Sequence, residues 1–162
     1  MNRLIVAAAA ASMLLPIGAF AQEPAPPPAY GMGIGLDTAK KALAAAEANK
    51  NNWPVAIAIV DSSAKLVVFS KMDNTQHASV DIAIGKAVTS NNLKRPTKAL
   101  QDGIAQGGVN LRILGQPGIT PLEGGVPIVV DGKIVGAIGV SGVLSSQDAE
   151  VAMAGAAAAA AK

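Results

Sequence analysis

Apolar and polar positions recur along this chain at two periods. Leu36, Ala39, Leu43 and Ala46 repeat at helical spacing with Lys40, Lys41 and Glu47 between them. The pattern predicts an amphipathic helix ending in the polar run 49–52. Residues 55–60 (Val-Ala-Ile-Ala-Ile-Val) form a short continuous aliphatic run, which reads as a buried strand. Turn residues at 61–65 lead into a second strand at 66–70, giving an antiparallel hairpin. A helix over 79–92 follows, with Val80, Ala83, Ile84 and Ala87 on one face and Pro96 beyond its end.

Residues 97–106 read as a short helix with Thr97 as its N-cap, ended by Gly107 and Gly108. The stretch 109–125 is rich in turn residues; its Leu111, Ile113 and Leu114 fit either a short strand or a lining for the core. Asp131-Gly132 between the apolar runs 126–130 and 133–140 is the strongest hairpin signal in the chain. Pro127 suits an edge strand, while Gly136 and Gly139 leave room for a close backbone approach. Ser145 with Asp148 reads as a capping pair before an alanine-rich helix over 147–161. Two hairpins with helices before, between and after them predict an α+β domain: an antiparallel sheet of about four or five strands with packed helices.

Composition narrows the chemistry. The 162 residues are 51% hydrophobic, 2% aromatic and 15% charged, which excludes a disordered, charge-solvated chain. A formal charge of +2 is no footprint for nucleic acid. There is no cysteine and a single histidine, His77, so disulfides, thiolate sites and multi-histidine metal sites are excluded.

The first 21 residues read as a secretory signal peptide: Arg3, an apolar stretch 4–15, and Ala19-Phe20-Ala21 at the cleavage position. Pro16 and Gly18 interrupt the run, and a span needs roughly 20 apolar residues. Residues 22–35, with Pro24, Pro26, Pro27 and Pro28, read as an extended linker, so the domain is expected to cover 36–162. The protein is expected to be periplasmic or secreted, with no membrane span after cleavage.

Several blocks resemble one family. Lys71-Met72-Asp73, Ser79-Val80-Asp81-Ile82-Ala83 through Lys86-Ala87, and Arg95-Pro96-Thr97 are the first. Pro121-Leu122-Glu123-Gly124-Gly125-Val126-Pro127-Ile128, then Gly136-Ala137-Ile138-Gly139-Val140-Ser141-Gly142 and Gln147-Asp148, complete them. In this order they resemble the GlcG/HbpS-like family of haem-binding and haem-degrading domain proteins. The resemblance implies a profilin-like α+β fold, homo-oligomers and haem as cofactor, for haem capture, sensing or degradation. It assigns no axial ligand to a position here.

His77 is open to two readings: an axial haem and metal ligand, or an exposed turn residue. Met32, Met72 and Met153 are alternative donors that commonly serve as packing. Asp61 belongs to its turn and Asp81 to a helix start, which leaves Asp73 as a candidate. Glu123, before two glycines, points into a pocket or out to solvent. Arg95 is the best partner for a propionate or a small organic acid; Lys86 and Lys94 read as solvated helix positions. Thr97 supplies a hydroxyl donor to the same candidate set of His77, Met72, Asp73, Arg95 and Glu123. Ser141 lacks the nucleophile-elbow spacing, so its role reads as structural.

Two functions of different class follow. One is an exported haem-binding protein; the other is an oligomeric scaffold or small-organic-acid-binding module without haem. No complete acid–base or nucleophile set supports cofactor-free catalysis.

Overall fold

The computed structural model describes residues 25–49 and 51–161. The expected signal segment 1–21 lies outside the described residues. Helix α1 (Leu36–Glu47) precedes the hairpin β1 (Ala56–Asp61) and β2 (Leu66–Lys71). Helices α2 (Ser79–Leu93) and α3 (Lys98–Gln106) and a 3-10 stretch (Gly108–Gly115) separate it from the hairpin β3 (Gly125–Val130) and β4 (Lys133–Ser141). Helix α4 (Ser145–Ala160) closes the order.

The four strands form one antiparallel sheet in the order β2-β1-β4-β3. The two hairpins join through their inner strands, with Ile57 opposite Val140 and Ile59 opposite Ile138. Strand alternation sends these side chains to one face, where they meet Ala42 and Ala46 of α1 and Val151 and Ala152 of α4. The isoleucines Ile57, Ile59 and Ile138 are fully buried, and each such side chain contributes about 1.5–3 kcal/mol. On the other face Ala56, Ala58, Val60 and Ala137 pack with Ala83 and Ala87 of α2. A Cβ at Gly139 would collide with the Ala83 carbonyl and lie 2.5 Å from the Ala87 nitrogen. Small residues thus bring α2 down onto the sheet, and few aromatics are needed to fill so thin a layer.

The α+β class, the hairpins and the edge position of Pro127 are as the pattern predicts. Asp61 serves its turn, accepting from the Ser63 and Lys65 amides at 2.8 and 2.9 Å. Elsewhere the reading needs correction. The stretch 108–115 is neither strand nor core lining: it winds as a 3-10 helix and leaves Val109, Leu111 and Leu114 exposed. Gly107 and Gly108, both at positive φ, turn the chain into this tighter winding. The amide of Leu144 is bonded to the side chain of Gln147 at 3.2 Å, while Asp148 is turned inward, so Ser145 and Asp148 are no capping pair.

The end of the expected linker is part of the fold. Ala29 to Ile34 runs along β4 where β1 has ended, with Tyr30 parallel to Ile134. The Ile134 amide donates to the Ala29 carbonyl (2.9 Å), and Gly31 and Ile34 donate to the carbonyls of Ile134 and Val135 (2.8 Å each). The Tyr30 hydroxyl reaches the Asn91 carbonyl of α2 at 2.8 Å, and Lys94 Nζ sits 4.3 Å from the ring centre. Lys94 is therefore engaged in a cation–π contact, and the reading of it as merely solvated is corrected.

Candidate functional site

The start of β3 meets the first turns of α3 and α4. Thr97 is completely buried. It stands in the N-cap position of α3, but its side chain makes no cap bond. Instead its hydroxyl oxygen accepts the Gly125 amide at 2.9 Å, and its own amide donates to the Gly125 carbonyl at 3.0 Å. A threonine spent this way fastens α3 to β3 and leaves no hydroxyl free for a ligand. Glu123 is fixed from the same side: its amide donates to Gln101 Oε1 (2.9 Å), and its carboxylate lies 4.0 Å from Lys98 Nζ.

Between these elements is a pocket of about 390 Å³, lined by Pro96, Lys98, Glu123–Val126, Ala149 and Met153. Apolar side chains and glycine backbone make its walls. Lys98 and Glu123 supply its charge, and the half-exposed Met153 a thioether. Lys98 also donates to Asp102 at 2.9 Å, a bond that raises its pKa above the ordinary lysine value.

Behind the glycine wall lies a buried ion pair. Lys86 Nζ donates to Asp148 Oδ2 at 2.7 Å and to the Val140 carbonyl at 2.9 Å. Both side chains are almost wholly inaccessible, at 2% and 3% exposure. Asp148 Oδ1 accepts the Val143 amide at 3.1 Å, so the pair ties α2, β4 and the first turn of α4 together. Burial lowers the Lys86 pKa, opposed by the hydrogen bond to Asp148 and by the charges of Asp148 and Glu123. Burial likewise raises the Asp148 pKa, opposed chiefly by Lys86. A Cβ on Gly124 would lie 2.8 Å from Lys86 Nζ and 2.9 Å from Asp148 Cβ, so only glycine lets the wall close over the pair. Lys86 is thus no solvated helix residue. Its sequence signal was its place three residues after Ala83 and beside Ala87, within the apolar face of α2.

Of the residues singled out by sequence, Glu123 lines the pocket and Thr97 braces it. Arg95 is exposed and belongs to a separate cleft on another side of α3. His77 is exposed in the turn before α2, and Asp73 is exposed after β2. Met72 packs against the main core, and its carbonyl accepts the Thr75 hydroxyl at 2.7 Å. His77, Met72 and Asp73 do not line the pocket. Ser141 is buried, with its hydroxyl 3.3 Å from that of Ser79. Sequence reasoning passed over Lys98 and named Met153 as an alternative donor that commonly serves as packing. No group of three or more metal-ligating side chains converges among the described residues.

A four-stranded antiparallel sheet with helices on both faces makes this a small α+β domain, and the apolar pocket lies at its β3 edge. The family described as "Haem degrading protein HbpS-like" matches residues 34–157, and the chain belongs to it. Protein GlcG of Escherichia coli K12 is 43% identical over 95 residues, 59% of this chain and 69% of that one. The crystal structure of a double mutant of Streptomyces reticuli HbpS is similar at TM-score 0.69 and 32% identity, covering 90% of this chain and 97% of that one. PduOC, whose crystal structure is a haem complex, is similar at TM-score 0.71 and 27% identity, covering 78% and 95%.

Proposed function

We propose that the protein binds haem, and that it does so in the periplasm or outside the cell. The observation that carries this reading is the apolar pocket beside β3 with one cation and one thioether at its margin. The family's haem-related description and the haem complex of PduOC support it. The leader pattern in residues 1–21 supports export, and the 51% hydrophobic composition with an alanine-rich terminal helix supports a homo-oligomer.

The residues fit the group. Haem is a flat apolar ring bearing two carboxylates, and bound haem supplies an iron whose axial positions accept protein or small-molecule donors. Pro96, Gly124–Val126 and Ala149 would hold the ring by excluding water from it. Lys98, whose pKa the hydrogen bond to Asp102 raises further above neutral pH, would hold a propionate. Glu123 repels a second carboxylate and so favours one orientation of the ring. Met153 is the donor nearest to hand for the iron; His77, outside the pocket, is the other candidate.

Haem titration of the purified protein tests this. A saturable Soret band is expected, with Met153→Ala shifting it and weakening binding tenfold, about 1.4 kcal/mol. His77→Ala should leave both unchanged. A titration indistinguishable from free haem overturns the reading. A change in the His77 variant alone moves the site away from this pocket.

A further inference from the structure

We propose that the cleft between α3 and the 3-10 stretch is a binding site for a short-chain dicarboxylate. Arg95, Ala99, Leu100, Asn110, Arg112 and Ile113 line it, around a space of about 200 Å³. Two arginines therefore line one small volume, and no acidic residue is among its lining. The nearby acids are engaged elsewhere: Asp102 is bonded to Lys98, and Glu123 faces Lys98 and Gln101. Among the described residues neither Arg95 nor Arg112 has a carboxylate within ion-pair distance. Lys94, the neighbouring cation, lies over the Tyr30 ring.

The cleft is built to hold its charge in place. Arg95 Nε donates to the Leu93 carbonyl at 3.1 Å, which steadies the guanidinium and leaves its terminal N–H groups for a ligand. A guanidinium presents parallel donors that match both oxygens of a carboxylate. Like charges confined in a cleft focus a positive potential and favour an anion that neutralises both. Asn110 adds an amide donor. Ala99, Leu100 and Ile113 add an apolar wall, which suits a methylene body and gives nothing to inorganic phosphate. Two carboxylates on a short aliphatic chain satisfy all of these features together. The site does not rest on the haem reading, because the haem pocket lies on another side of α3 and shares no lining residue with it.

Calorimetric titration of the full protein at low salt, with succinate, acetate and inorganic phosphate as separate ligands, tests the proposal. Succinate is expected to bind saturably, and at least tenfold more tightly than acetate or phosphate. Arg112→Gln should weaken it at least tenfold, and Arg112→Lys, which keeps the charge but loses the fork, by less. Circular dichroism should match the parent for both, since Arg112 is exposed. The Soret titration of Arg112→Gln should follow that of the parent, so failure of one site is distinguishable from failure of the other. No succinate binding, tighter phosphate than succinate, or unchanged affinity in Arg112→Gln overturns the proposal.

Discussion

Replacing Lys86 by methionine removes a cation from a position where the carboxylate it faces has almost no water. The two side chains are 2% and 3% exposed and 2.7 Å apart, so without Lys86 the Asp148 carboxylate is left with the backbone amides of Val143 and Gly142. Breaking a buried pair from one side costs about 3–5 kcal/mol. In a domain of this size that lowers the unfolding midpoint by roughly 10 °C or more. The pH dependence identifies the cause. Burial already raises the Asp148 pKa, and Lys86 is the chief opposing influence; without it the carboxyl rises further. A carboxyl whose folded pKa exceeds its unfolded value contributes stability that is full below the unfolded value and lost as pH climbs through the folded one. The gap between Lys86→Met and the parent should therefore be widest at neutral pH and narrow towards pH 4. Adding Asp148→Asn, which removes the uncompensated charge and keeps an oxygen for Val143, should recover much of the loss. Urea unfolding at several pH values, run as a double-mutant cycle, measures all of this. A loss below about 1 kcal/mol, the scale of exposed pairs, or a gap that widens on acidification, refutes the reasoning.

Gly124→Ala forces a side chain into backbone at φ +122° and within 2.8 Å of Lys86 Nζ, so a loss of roughly 2 kcal/mol or more is expected in thermal unfolding. A midpoint equal to the parent's would show that the wall has slack. Thr97→Val removes the acceptor of a buried amide at nearly constant volume and should cost about 1–3 kcal/mol. Hydrogen exchange should show the Gly125 amide losing protection, and an unchanged rate there would count against the brace.

The fold was largely legible because its elements rest on local signals. The aliphatic runs at β1 and β4 and the Asp131-Gly132 turn declare strands and hairpin without help from distant residues. Gly136 and Gly139 announced close backbone approach, and Gly139 indeed lies under α2. The site was less legible because its parts are distant in sequence. Lys86 and Asp148 are 62 residues apart, and neither carries a mark naming the other. Thr97 had the position and chemistry of a cap, but a buried amide on β3 competed for its hydroxyl and won. The 3-10 stretch has no clean period of its own, so Leu111, Ile113 and Leu114 suggested a strand by composition alone.

The strap from Ala29 to Ile34 gives the domain a mechanical beginning ahead of its first helix. A pull on the proline-rich segment upstream loads three backbone hydrogen bonds to Ile134 and Val135 and the Tyr30 clasp before any force reaches α1. Since β4 is the inner strand through which its hairpin joins the other, and α2 covers it, that load passes into the interior of the sheet. A tension-bearing attachment at this end would leave the pocket beside β3 undistorted until the strap had peeled away.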